Sequence, residues 1–144
     1  MKILLKSRKK NYLATVCIGN KKLLSDWKKN AYPLWRLYCK KNDIGIILFE
    51  QDLIPKKDEY WKKPTWQKYL IGEKLKNKDV KNVCYLDTDI LINPLSPNIF
   101  KKYNPKKIFA SSNIFKLPYD LEKIQKTWKT KNWKLEKGLS VYIC

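Results

Sequence analysis

The sequence predicts an α/β domain with a mostly parallel sheet flanked by helices, and three observations carry that prediction. Short apolar runs of β-favouring residues recur at positions 13–18, 44–49 and 83–92. Two longer stretches between them repeat their apolar residues at helical spacing. The chain has 144 residues and is 44% hydrophobic, which suits one compact core rather than two. Strand, helix, strand, helix, strand is the order produced by right-handed parallel crossovers, so a single Rossmann-like domain over residues 1–144 is expected.

Each element has its own warrant. LATVCI, residues 13–18, is short, rich in β-favouring types and closed by Gly19-Asn20, which reads as a buried strand and its turn. Ser25 is a candidate cap for the following helix, where Trp27, Ala31, Leu34, Trp35 and Tyr38 form an apolar face and Pro33 predicts a kink. IGIILF, residues 44–49, is too short for an ordinary helix and reads as the second strand. Pro64 suits the first turn of a helix running to about Lys76, with Trp66, Leu70, Ile71 and Leu75 apolar. VCYLDTDILI, residues 83–92, is the strongest strand signal. Beyond it, Asn93-Pro94 and Ser96-Pro97 mark turns, residues 107–111 predict a strand, Leu121, Ile124 and Trp128 space as a helix, and GLSVYIC reads as a strand.

Composition narrows the function classes. Cys17, Cys39, Cys84 and Cys144 lie far apart and the chain has no histidine, so no zinc-ligand spacing is present. Three of the cysteines fall in apolar segments and read as buried thiols; a disulfide framework is not expected. The run at residues 3–5 is too short for a signal-peptide core and no stretch approaches a membrane-spanning length, so a cytoplasmic protein is expected. The net charge of +19 suggests a polyanionic partner. However, only Arg8 and Arg36 are arginines, and the 30 lysines are spread over almost every segment. Base-edge recognition favours the arginine fork, so no specific nucleic acid is expected, and the charge predicts general attraction to anionic surfaces, membranes included.

The chemistry concentrates in Asp87-Thr88-Asp89. With eight aspartates, such a triplet arises by chance about 0.4 times in a chain of this composition, so context must decide. The triplet sits inside an apolar run, where unpaired carboxylates are costly and two on one side repel. Strand alternation would put Asp87 and Asp89 on one side and Thr88 on the other, converging two hard oxygens on one cation. Mn2+ or Mg2+ suits such a pair, because these ions complete their shell with water and substrate phosphates. The other arrangement open to these residues is a strand ending near Leu86, with both aspartates in a solvated turn.

The stretch TWQKYLIGEKLKNKDVKNVCYLDTDILINPLSPNIF, residues 65–100, resembles glycosyltransferase family eight and its glycogenin-like relatives. There a helix bearing a basic residue runs into a strand of the form Y-L-D-x-D; with the first strand included, the resemblance covers about residues 13–112. It implies a GT-A fold and transfer of a hexose, with retention, from a nucleotide diphosphate sugar, UDP-linked by expectation, to a hydroxyl acceptor. It carries metal and nucleotide binding onto Asp87 and Asp89, with Thr88 between them. Lys68 takes the place of the family's donor-facing arginine, as a point charge rather than a fork. The nucleoside is expected at the end of the first strand, at Cys17, Ile18, Gly19 and Asn20; ligands of open parallel sheets bind beyond the strands' carboxyl ends where connections leave in opposite directions, and the first strand and the Asp87 strand are expected to flank that point.

Two features depart from the family. Where it offers a tyrosine to stack on uracil, this chain has Lys21, Lys22 and Leu23, and the family's downstream histidine ligand has no counterpart here. The resemblance therefore implies the N-terminal part of a longer domain, able to bind nucleotide and metal but deficient in transfer. A haloacid dehalogenase-type phosphohydrolase also places D-x-D at a strand end, but wants Thr or Val where Leu91 stands. A lysine-rich module for nucleic acid or an anionic surface is the reading from another class.

Overall fold

The structure, a computed structural model, describes residues 1–61 and 63–102. The strands are β1 (Lys2–Leu5), β2 (Asn11–Val16), β3 (Gly45–Phe49) and β4 (Asn82–Tyr85). They form one sheet in the order β1-β3-β2-β4. β2 lies at the centre and pairs in parallel with β3 on one side and β4 on the other, so the first and third predicted strands are neighbours. β1 runs antiparallel to β3, which makes the sheet mixed. This edge strand was not legible in the sequence, because four residues, KILL, carry no alternation to read. Its register slips between Ile3 and Leu5, an irregularity common at sheet edges.

Helices cover both faces. On one face, α1 (Lys21–Asp26), a π turn (Trp27–Ala31) and α2 (Tyr32–Asn42) follow each other without a break. The cap is Asn20, whose Oδ1 accepts from the Leu23 N–H at 2.9 Å; the expected cap, Ser25, lies inside α1. Asn20 wins because it already holds the turn after Gly19 and its short side chain reaches the third helical N–H. Pro33 distorts the helix just ahead of itself. In a regular helix its ring would crowd the carbonyl four residues back and it has no N–H to donate; the preceding turn is widened, and the Tyr32 N–H bonds to Trp27 O. On the other face, α3 (Pro64–Gln67), a 3-10 turn (Lys68–Leu70) and α4 (Ile71–Leu75) occupy the predicted helix, with Pro64 in its first turn. A short α5 (Ile99–Lys102) ends the described chain.

Strand alternation sorts the core into two clusters. Leu13 and Cys17 of the β2 segment pack with Trp27, Ala31, Trp35, Tyr38 and Cys39, joined by Leu86, Ile92, Ile99 and Phe100 from the segment after β4. Tyr12 and Ala14 face the other way, onto Phe49, Leu53, Ile71 and Leu75. Trp27 and Trp35 meet edge to face at 5.6 Å, an arrangement that aromatic quadrupoles favour. Cys17, Cys39 and Cys84 are free thiols; the first two are buried and the third half-buried. Burial pushes the Cys39 thiol up to about 12.

Among the described residues no helix is long and apolar enough to cross a membrane. The strand predicted at 107–111, the helix spaced by Leu121, Ile124 and Trp128, the terminal GLSVYIC and Cys144 lie outside the described residues.

Candidate functional site

The D-x-D triplet lies on a turn. β4 ends at Tyr85; the Leu86 N–H still bonds to Ala14 O at 3.0 Å, and then the Ile90 N–H closes back on Asp87 O at 3.2 Å. The predicted strand over 83–92 is thus cut to its first third, and strand alternation does not govern the two carboxylates. Asp is a poor ladder residue and a good turn former, and β2, the strand that β4 pairs with, itself stops at Val16. Both aspartates nevertheless project from one turn at the carboxyl edge of a parallel strand.

That turn is pinned from below by α2. Trp35, fully buried, donates its Nε1–H to Ile90 O at 2.8 Å. One turn along, Tyr38 donates its hydroxyl to Pro97 O at 3.0 Å and accepts the Ile99 N–H at 2.9 Å. Asn98 donates its side-chain amide to Asn42 O at 3.2 Å. Four hydrogen bonds to one helix, through the side chains of Trp35, Tyr38 and Asn98, therefore fix the chain that leaves the triplet, and a loop held this way presents its side chains with little freedom.

Asp87 is half-buried and has two partners. Tyr85, the last residue of β4, donates its hydroxyl to Asp87 Oδ1. Lys68 Nζ lies 3.9 Å from Asp87 Oδ2 and 5.2 Å from the centroid of the Tyr85 ring. Burial raises the Tyr85 phenol above its usual range, and the bond to Asp87 and the charges of Asp87 and Asp89 push in the same direction. Tyr85 thus stays a neutral donor over any working pH. Asp89 is exposed, with no hydrogen-bond or ion-pair partner among the described residues. Thr88 sits half-buried between them in the turn.

Other acids of this part of the chain are already committed. Glu50, just past β3, pairs with Lys2 and, at 3.5 Å, with Lys28, and the bond to Lys2 holds its carboxyl below the usual range. Asp52 accepts from the buried Gln67 at 2.6 Å and from the Trp61 indole at 3.4 Å. Among the described residues no group of three or more acidic or cysteine side chains gathers to hold a metal. A pair plus phosphate oxygens is the arrangement the sequence suggested, and Asp87 and Asp89 share one turn.

The four residues expected around the nucleoside lie at the same sheet edge, on the strand next to β4. Cys17 turns its side chain into the core and donates its N–H to Phe49 O at 2.8 Å; burial raises its thiol. Ile18 is half-buried against the Ile71 cluster. Gly19 is exposed at φ 72°, a conformation that L side chains rarely adopt, and Asn20 spends its side chain on the α1 cap. Among the described residues no hydrogen bond or ion pair joins this loop to the Asp87 turn. The connections after β2 and β4 both feed the Trp35 cluster, whereas that after β3 feeds the Ile71 cluster. The point where connections diverge therefore lies between β2 and β3, not beside β4 as the order of elements suggested.

Sequence reasoning overlooked Tyr85, Trp35 and Tyr38. Tyr85 had a signal, since a phenol two residues before Asp87 is close enough to reach its carboxylate. The other two read only as core. No family model, no curated protein and no solved structure matches this chain.

Proposed function

We propose that this chain binds the donor of a metal-dependent, GT-A-type glycosyltransferase reaction in the cytoplasm, the transfer of a hexose from a nucleotide diphosphate sugar to a hydroxyl acceptor. The observation that carries the reading is the Asp87 turn: two carboxylates at the carboxyl edge of a parallel strand, with Lys68 3.9 Å from one of them. The donor set fits Mn2+ or Mg2+. Asp89 has no hydrogen-bond or ion-pair partner among the described residues, Asp87 is oriented by Tyr85, and ions of this kind are commonly held by one or two carboxylates with phosphate and water completing the shell. When bound, such an ion supplies Lewis-acid stabilisation of the charge on the departing diphosphate.

The chain's own residues would divide the remaining tasks. Lys68 offers a positive charge beside the metal pair, where a diphosphate carries its excess negative charge. Gly19, without a Cβ, leaves backbone open to a base at the neighbouring strand end. Trp35 and Tyr38 keep the Asp87 turn in place through the carbonyls of Ile90 and Pro97.

The test is calorimetric titration of UDP with and without Mn2+, on the wild-type chain and on Asp89→Asn. UDP should bind at least about tenfold more tightly with the metal present, and the substitution should remove that difference, since Asp89 has no structural partner to lose among the described residues. UDP binding that ignores Mn2+, or metal-dependent binding that survives in Asp89→Asn, would defeat the reading.

A further inference from the structure

Building on the transferase reading, we propose that Lys68 is a displaceable counter-ion of Asp87, and that its release couples binding of the divalent cation to binding of the nucleotide diphosphate. Both oxygens of Asp87 face donors: Tyr85 at Oδ1 and the Lys68 ammonium at Oδ2, 3.9 Å away. The Lys68 side chain is only 18% exposed and its ammonium lies over the Tyr85 ring, so it is a half-sheltered charge with one anionic partner among the described residues.

A divalent cation arriving at Asp87 meets that ammonium. The two positive charges repel at such a separation, and Lys68 loses its partner while its stem stays packed beside Tyr85. The cation alone therefore binds against a penalty. A diphosphate arriving with it reverses the sign, because its oxygens give Lys68 a new anionic partner on the open side of the same turn. Each ligand then favours the other, and the coupling factor is the same whichever binds first. Lys68 suits this exchange better than arginine would in one respect: a compact ammonium on a flexible stem moves between two anions without breaking a bidentate fork.

Mn2+ and UDP are the probes, titrated separately and together into the full chain, with free Mn2+ read by electron paramagnetic resonance. In the wild-type chain UDP should tighten Mn2+ binding. In Lys68→Gln, Mn2+ alone should bind more tightly than in the wild type, and the coupling between the ligands should fall by about fivefold. Lys68→Arg should keep most of the coupling. Melting of the ligand-free variants reports any purely structural role, which would lower stability and leave the coupling where it was. If Asp87→Asn weakens Mn2+ binding but Lys68→Gln leaves the Mn2+ affinity and the coupling at wild-type values, the Lys68 proposal is overturned and the metal pair stands. If Asp87→Asn leaves Mn2+ binding unchanged, the metal pair itself is wrong and the proposal goes with it.

Discussion

At the scale of single residues, two glycines with opposite surroundings give opposite expectations. Gly45 begins β3 directly across from Tyr12 on β2, and the tyrosine ring lies over it. A Cβ there would overlap the edge of the Tyr12 ring and stand 2.8 Å from the Leu5 carbonyl oxygen. The ring belongs to a side chain only 5% exposed, and the oxygen is backbone of the edge strand, so neither gives way easily. Gly45→Ala should cost about 1–3 kcal/mol, as overpacking of cores usually does. Gly72, inside α4, has open space where a Cβ would go and no unusual backbone angle. Gly72→Ala should stabilise by about 0.5–1 kcal/mol by restricting the unfolded chain. Melting curves of the two variants, expected to move in opposite directions by a few degrees, check the pair; a harmless Gly45→Ala would mean that Tyr12 does not pack over β3.

Among the elements, α1 depends on its first cap. Asn20 is exposed and its side chain accepts from the Leu23 N–H, so Asn20→Ala should lose about 1 kcal/mol and Asn20→Ser should recover most of it. Equal melting of the alanine and serine variants would remove the cap from the account. The same residue shows where the sequence was legible. Gly19-Asn20 was visible as the end of a strand, but its use as a cap was not, because Ser25 offered the same chemistry five residues on. Apolar runs revealed β2, β3 and the start of β4, since buried parallel strands are continuously apolar. The end of β4 was hidden, because LDTDILI remains apolar around its aspartates and hydropathy does not register a turn closed by one backbone bond, Ile90 N–H to Asp87 O. Lys68 and Asp87, nineteen positions apart, meet only because β3 and β4 flank β2 and α3 crosses between them. No local spacing encodes such a meeting. Trp35 read as core and is core, yet its indole N–H also holds the site's backbone.

For the whole molecule, the dominant quantity is the charge of +19, with 32 lysines and arginines against 13 acids. Among the described residues the cations are not gathered into a stripe. Exposed lysines come from α1 and α2 on one face of the sheet and from α4 on the other, and the ion pairs at Glu50, Asp43, Asp79 and Asp87 neutralise only a few of them. Most of the charge therefore acts as mutual repulsion, which the compact state feels more than the expanded one. At about 0.01 M salt the screening length is about 30 Å, comparable to a small domain, so every lysine feels the rest; at about 0.15 M it is about 8 Å and only neighbours count. Raising sodium chloride between these limits should raise the melting temperature by several degrees, and the same change should release the chain from anionic vesicles. The pairs Lys10–Asp79 and Lys2–Glu50 weaken in salt too, but exposed pairs contribute little, so repulsion decides the sign. On the proposed reading, binding of UDP with Mn2+ should respond differently, because it would depend on Asp89 and persist where general attraction has been screened away. A melting temperature that falls as salt is added would show that attractive pairs outweigh the excess of lysines. UDP binding that vanishes together with vesicle binding, equally in the wild type and in Asp89→Asn, would reduce the candidate site to one more patch of the general field.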